Sequence, residues 1–117
     1  MSKKYLIFGA NGSVGKSLTE KMYEEKLDCH LISKNEDEII QLAKKFSYSY
    51  SVCDVLKLNF VDNLLKELSD TEVLGVAYCV GSIDLKPLRL TKTKDFVSSY
   101  ILNLVSATDV IRTFQDN

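Results

Sequence analysis

The chain has 117 residues, of which 45 % are hydrophobic and 26 % charged, and a net charge of −1. That size and balance describe one ordinary globular domain and exclude a disordered or fibrous chain. Near-neutrality leaves no basic footprint for nucleic acid or an anionic membrane, and no apolar run approaches the ~18–20 residues that span a bilayer.

In chain order, Lys4-Tyr5-Leu6-Ile7-Phe8 is a continuous apolar run stopped by Gly9, the pattern of a strand buried on both faces. The apolar part of this N-terminus is too short for a signal peptide. Residues 13–26 read as a helix carrying Val14, Leu18 and Met22 at four-residue spacing, and residues 29–33 as a second strand. Residues 35–46 follow as a helix with an apolar face of Ile39, Leu42, Ala43 and Phe46. Asn35 and Glu38 at its start have the spacing of a capping box.

A weaker strand, 49–53, ends at Asp54. The helical stripe Val61, Leu64, Leu65 and Leu68 marks residues 58–68, and the apolar run 73–80 is a fourth strand closed by Gly81-Ser82. A loop holding the only proline, Pro87, leads to a long helical pattern over 94–114, with Phe96, Val97, Tyr100, Ile101, Leu104, Val105 and Ile111 on its apolar face. Strands alternating with helices predict an α/β domain with a parallel sheet and helices on both faces. Cys29, Cys53 and Cys79 are odd in number and lack Cys-x-x-Cys spacing, so they predict free buried thiols in a reducing cytoplasm and no metal site.

The segment with chemistry in it is Gly9-Ala10-Asn11-Gly12-Ser13-Val14-Gly15-Lys16-Ser17, between the first strand and the first helix. Glycines at three-residue intervals permit a tight turn and close backbone approach to a pyrophosphate, and a helix N-terminus presents N–H groups to its oxygens. The context predicts a Rossmann-type doubly wound domain over 1–117, four strands of it, with Gly9, Asn11, Gly12, Ser13, Val14 and Gly15 at a dinucleotide. Ala10 to Ser17 also comes within one glycine of the G-x-x-x-x-G-K-[ST] loop of ATP-binding proteins, where Lys16 would reach phosphates and Ser17 a magnesium ion. At the end of the second strand stands Ser33-Lys34-Asn35, with no carboxylate at the position that takes the ribose 2′-hydroxyl of NAD. Lys34 could pair with a 2′-phosphate, which points to NADP over NAD.

These residues resemble the short-chain dehydrogenase/reductase family, along the entire chain. Gly9 to Gly15 looks like its cofactor loop, with a glycine spacing closer to the extended or divergent members, and Ser33-Lys34-Asn35 is similar to the Ser-Arg-Asn of NADP-preferring members. Cys53-Asp54-Val55 matches the acidic residue that meets the adenine. Tyr78-Cys79-Val80-Gly81 stands where the family has Asn-Asn-Ala-Gly, keeping only the glycine. Asn103 falls where the family carries a catalytic asparagine of a proton relay. The resemblance implies NADP-dependent oxidation or reduction of an alcohol/carbonyl pair, with Asp54, Val55, Cys79, Val80 and Gly81 lining the cofactor.

The family's Tyr-x-x-x-Lys is missing: none of the six tyrosines has a lysine four residues later. With no general acid to protonate a carbonyl oxygen, the expectation is a truncated product that binds nucleotide without turnover, its small-molecule substrate being met only in a longer parent. A stand-alone sensing or interaction module and an ATP-binding P-loop protein remain as alternatives. The 94–114 helix would suit a helix-to-helix dimer.

Overall fold

In the computed structural model, residues 2–57, 59–80, 93, 94, 97 and 104–114 are described. The strand β1 (Ser2–Phe8) is apolar where it has neighbours on both sides. It pairs in parallel with β2 (Cys29–Ser33), Tyr5 facing Cys29 and Phe8 facing Ile32. On its other side it pairs in parallel with β4 (Thr71–Tyr78), Leu6 facing Val76 and Phe8 facing Tyr78. The strand β3 (Ser49–Val52) adds outside β2, so the order is β3-β2-β1-β4.

Side chains alternate across the sheet, as the strand repeat of two requires. Ile7, Cys29 and Leu31 pack with Ile39, Leu42, Ala43 and Phe46 of α2 (Glu36–Phe46), and Leu18 and Met22 of α1 (Ser13–Glu24) lie against the same cluster. Leu6, Phe8 and Ile32 point the other way, onto Phe60 and Leu64 of α3 (Phe60–Glu67) and Val110 and Phe114 of α4 (Ser106–Phe114). Burying each such large side chain contributes about 1.5–3 kcal/mol, and both faces of the sheet are covered, as the sequence pattern predicts. Among the described residues no helix is long and apolar enough to cross a membrane.

Four elements bury different residues from those their sequence pattern suggests. Val14 is 69 % exposed, and the inner face of α1 is Gly15, Leu18, Thr19 and Met22. The first turn sits directly on the loop backbone, where only a residue without a side chain fits. Along β4, apolar from Val73 onward, Leu74 is 48 % exposed and Val76 lies open as well. This strand is an edge of the described sheet, and a bulge between Val73 and Gly75 shifts its register against Lys4 and Tyr5. On α3, Leu65 is exposed while Phe60 supplies the burial, and on α4 Ile111 points outward while Ser106, Val110 and Phe114 face the sheet. Of the thiols, Cys29 is buried and Cys53 and Cys79 are half-buried; all three are free. Of the long helix predicted over 94–114, residues 95, 96 and 98–103 lie outside the described residues, as does Pro87.

The lone histidine is built into the sheet. His30 Nδ1 and Nε2 lie 2.7 Å from the hydroxyls of Ser49 and Ser51, and Lys4 Nζ donates to Ser49 Oγ at 2.8 Å. Burial first, and then the Lys4 ammonium, holds the imidazole down at about 4. The unfolded chain, with an ordinary histidine near 6.5, therefore binds more protons between these values. This part of the stability is complete above pH ~6.5 and is lost as pH falls toward 4, by roughly 3 kcal/mol in all. Urea unfolding from pH 7 to 4 checks it: the wild type should lose stability relative to His30→Gln across that window, and parallel profiles would contradict the assignment.

Candidate functional site

The chain leaves β1 to build β2 and β3 on one side and returns to place β4 on the other. Open α/β sheets bind ligands where the strand order reverses in this way, outside the carboxyl ends of the strands. Because the strands are all parallel, those ends share one edge of the sheet. Gly9 to Gly15 follow β1, Ser33 to Asn35 close β2, Asp54 and Val55 follow β3, and Cys79 and Val80 follow β4. The predicted site residues are thus brought to one edge, except Gly81 and Asn103, which lie outside the described residues.

Two of the three loop glycines are fixed by packing. Gly9 has φ +73°, and a Cβ on it would stand 2.9 Å from the Cys79 carbonyl carbon and oxygen. The loop is pinned there by Gly9 N–H donating to the Ile32 carbonyl and Cys79 N–H to that of Phe8, both at 2.8 Å. A Cβ on Gly15 would lie 2.1 Å from the Gly9 carbonyl oxygen and 2.7 Å from Ala10 Cα. Gly12 is different: its nearest protein atom would be the Gly9 carbonyl oxygen at 3.5 Å, so its bareness opens the surface instead of relieving a clash.

Gly12 is the N-cap of α1, in extended conformation, so no side chain caps the helix, and its first turn carries no carboxylate. The opening N–H groups of a helix have no intrahelical partner and sit at the positive end of its dipole. In α2 the same groups are cared for internally: Asn35 Oδ1 accepts from Glu38 N–H at 3.1 Å, and Glu36, Asp37 and Glu38 fill the first turn. α3 also lacks a side-chain cap but carries Asp62 in its first turn, so α1 opens with neither cap nor carboxylate, an arrangement in which a helix N-terminus can accept an anion.

The end of β2 holds a side-chain network that reaches back to this loop. Ser33 Oγ donates to Asn11 Oδ1 at 2.7 Å and accepts from Asn35 N–H at 3.1 Å. Asn11 Nδ2 donates to Glu38 Oε2. The predicted capping box is therefore half made. Asn35 caps α2, but Ser33 has taken the Asn35 N–H, and Glu38 is turned toward the loop. This carboxylate is the residue that the sequence reading missed; its only signal was the Asn35-to-Glu38 spacing, which a capping box explains equally well. Lys34 is exposed.

Asp54 Oδ1 accepts from Leu56 N–H at 2.9 Å, holding the turn after β3. The Val55 side chain is in the core, and its carbonyl accepts from Ser106 Oγ at 2.6 Å, so the polar surface at this strand end comes from Asp54. Burial pushes the Tyr78 hydroxyl up to about 12 and also raises the Cys79 thiol, so neither is poised to donate or accept a proton near neutrality. Among the described residues no cluster of histidine, cysteine and carboxylate is arranged for a metal ion. A groove lined by Leu65, Leu68, Thr71, Val73 and Phe114 lies at the opposite end of the sheet, where β4 begins.

Neither a protein-family model nor a curated protein matches the sequence. Solved structures do match the fold. An oxidoreductase of the short-chain dehydrogenase/reductase family from Burkholderia thailandensis superposes with a TM-score of 0.86 at 15 % identity, over 99 % of this chain and 46 % of that one. The chain has the short-chain dehydrogenase/reductase fold. A second such structure, from Vibrio parahaemolyticus, gives 0.83 at 22 % identity over 93 % of this chain and 50 % of its own. The actinorhodin polyketide ketoreductase, solved with NADPH, gives 0.87 at 15 % identity over 97 % of this chain and 46 % of its own. The chain spans about half the length of these structures.

The glycine geometry separates packing from binding. Gly15→Ala should lower the melting temperature by roughly 10 °C or more, since overpacking against backbone costs about 1–3 kcal/mol or above. Gly12→Ala should leave melting within a few degrees, as surface substitutions do. Thermal unfolding followed by circular dichroism checks both; equal losses would contradict this division of roles.

Proposed function

We propose that this chain is the dinucleotide-binding part of an oxidoreductase of the short-chain dehydrogenase/reductase type, acting on an alcohol/carbonyl pair. The observation that carries the reading is the uncapped N-terminus of α1 over the glycine loop, at the reversal of the strand order. The pyrophosphate is taken by the N–H groups opening α1, with Gly12 leaving the approach bare. The adenosine end lies toward Ser33, Asn35 and Asp54. A nicotinamide dinucleotide supplies the hydride, and this chain's own residues bind and orient it.

Turnover is not expected of these 117 residues, which carry no Tyr-x-x-x-Lys. The catalytic serine, tyrosine and lysine, and with them the substrate pocket, belong on this reading to a longer parent. Asn103 would serve the proton relay there. Lys34 favours the phosphorylated dinucleotide at the ribose end, and the carboxylates around it oppose that choice. The open apolar residues Val97, Leu104 and Ile111 support contact of the segment 94–114 with a second copy or with the rest of such a parent.

A ligand that binds only the folded state raises its stability by mass action, by about 2.7 kcal/mol at a hundredfold excess over Kd. Thermal shift with NADH, NADPH and Mg-ATP tests the proposal. Stabilisation by a nicotinamide dinucleotide with none by Mg-ATP is the expected result. Stabilisation by Mg-ATP alone, abolished in Lys16→Ala, would replace it with the P-loop reading. Carbonyl reduction by the isolated chain would overturn the claim that it does not turn over.

A further inference from the structure

We propose that Glu38 sets the choice of dinucleotide, and that it selects the form without a 2′-phosphate. The inference rests on the dinucleotide reading of the glycine loop and goes against the preference for NADP that Lys34 alone suggests.

The geometry is a closed chain of hydrogen bonds between two strand ends. Asn11 belongs to the glycine loop, Ser33 ends β2, and Glu38 sits in the first turn of α2. Ser33 Oγ holds Asn11 Oδ1, and Asn11 Nδ2 holds Glu38 Oε2, so the carboxylate is tethered across the gap between β1 and β2. Its other oxygen has no hydrogen-bond partner among the described residues. A ribose placed with its pyrophosphate on α1 brings its 2′ and 3′ oxygens to this gap.

A carboxylate is acceptor-only and suits two hydroxyl donors. A 2′-phosphate brings close to two negative charges and only acceptor oxygens. It would have to displace Glu38 from Asn11 or stand against it. In the sequence one cation, Lys34, is followed within four residues by three carboxylates, Glu36, Asp37 and Glu38. Lys34 is exposed, with no ion pair among the described residues, and Glu38 is the one of the four fixed by a bond to the cofactor loop. Both side chains are exposed and open to screening, but the bond from Asn11 holds the Glu38 charge in place beside the loop.

The test is a titration of the purified chain with NADH and NADPH, read by the enhancement of their own fluorescence, for the wild type and Glu38→Gln. Glutamine keeps an oxygen that can accept from Asn11 Nδ2 and removes the charge. Wild type is expected to bind NADH more tightly than NADPH. In Glu38→Gln the ratio should move toward NADPH by roughly tenfold, the effect of one unit charge removed a few ångströms from a phosphate near a protein surface. An unchanged ratio in a variant that melts like the wild type would overturn the role of Glu38 and leave the dinucleotide reading standing. A wild type that already prefers NADPH would overturn it too. Binding of neither dinucleotide by either protein would overturn both claims.

Discussion

The first turn of α1 rests on the backbone of the loop that follows β1, with Gly15 so close to Gly9 that no side chain could come between them. That contact fixes where the helix axis points. The helix therefore opens at the carboxyl end of β1, next to Gly9 and the Cys79 backbone it packs on, and Gly12, just ahead, contributes no side-chain atom that would close the approach. Everything proposed for the ligand depends on this approach. The left-handed Gly9 turns the chain sharply enough to make it, and the bonds from Gly9 N–H to Ile32 and from Cys79 N–H to Phe8 tie the turn to β2 and β4. The same residues thus hold the sheet together and shape the candidate site.

Most of the fold was legible because it rests on periodicity. β1 and β2 are apolar on both faces in the sequence and covered on both faces in the structure, and the face of α2 is Ile39, Leu42, Ala43 and Phe46 in each. The misreadings are as physical as the successes. Spacing put Val14 on an inner face, but the glycine contact rotates the first turn so that Gly15 and Thr19 face inward. The run 73–80 reads as apolar throughout, whereas coverage is a property of neighbours, and β4 has a neighbour only on the β1 side of the described sheet. Ile111 was drawn in by its apolarity, yet Ser106 is the buried residue, because its hydroxyl has a carbonyl to meet at Val55.

The candidate site divides the same way. The loop was legible as a motif, since glycine spacing after a strand is a local signal. The network at the end of β2 was not, because it is assembled from three separate pieces of chain. An absent carboxylate at Ser33-Lys34-Asn35 was a correct reading of the strand end and an incomplete reading of the space around it, into which Glu38 reaches from the next helix. That reach is possible because Ser33 has already satisfied the Asn35 N–H that a capping box would have given to the glutamate. Tertiary contact, not local propensity, decided which of two acceptable partners Glu38 took.

Which residues touch the ligand is the most direct question to ask of this account. Amide chemical-shift mapping on the isotope-labelled chain, titrated with NADH, answers it without any assay of turnover. The account predicts the largest shifts in the backbone amides of Asn11 to Gly15, accompanied by those of Ser33 and Glu38, with the amides around Ser69 and Thr71 at the other end of the sheet unmoved. Shifts concentrated at that far end, with the glycine loop silent, would contradict it.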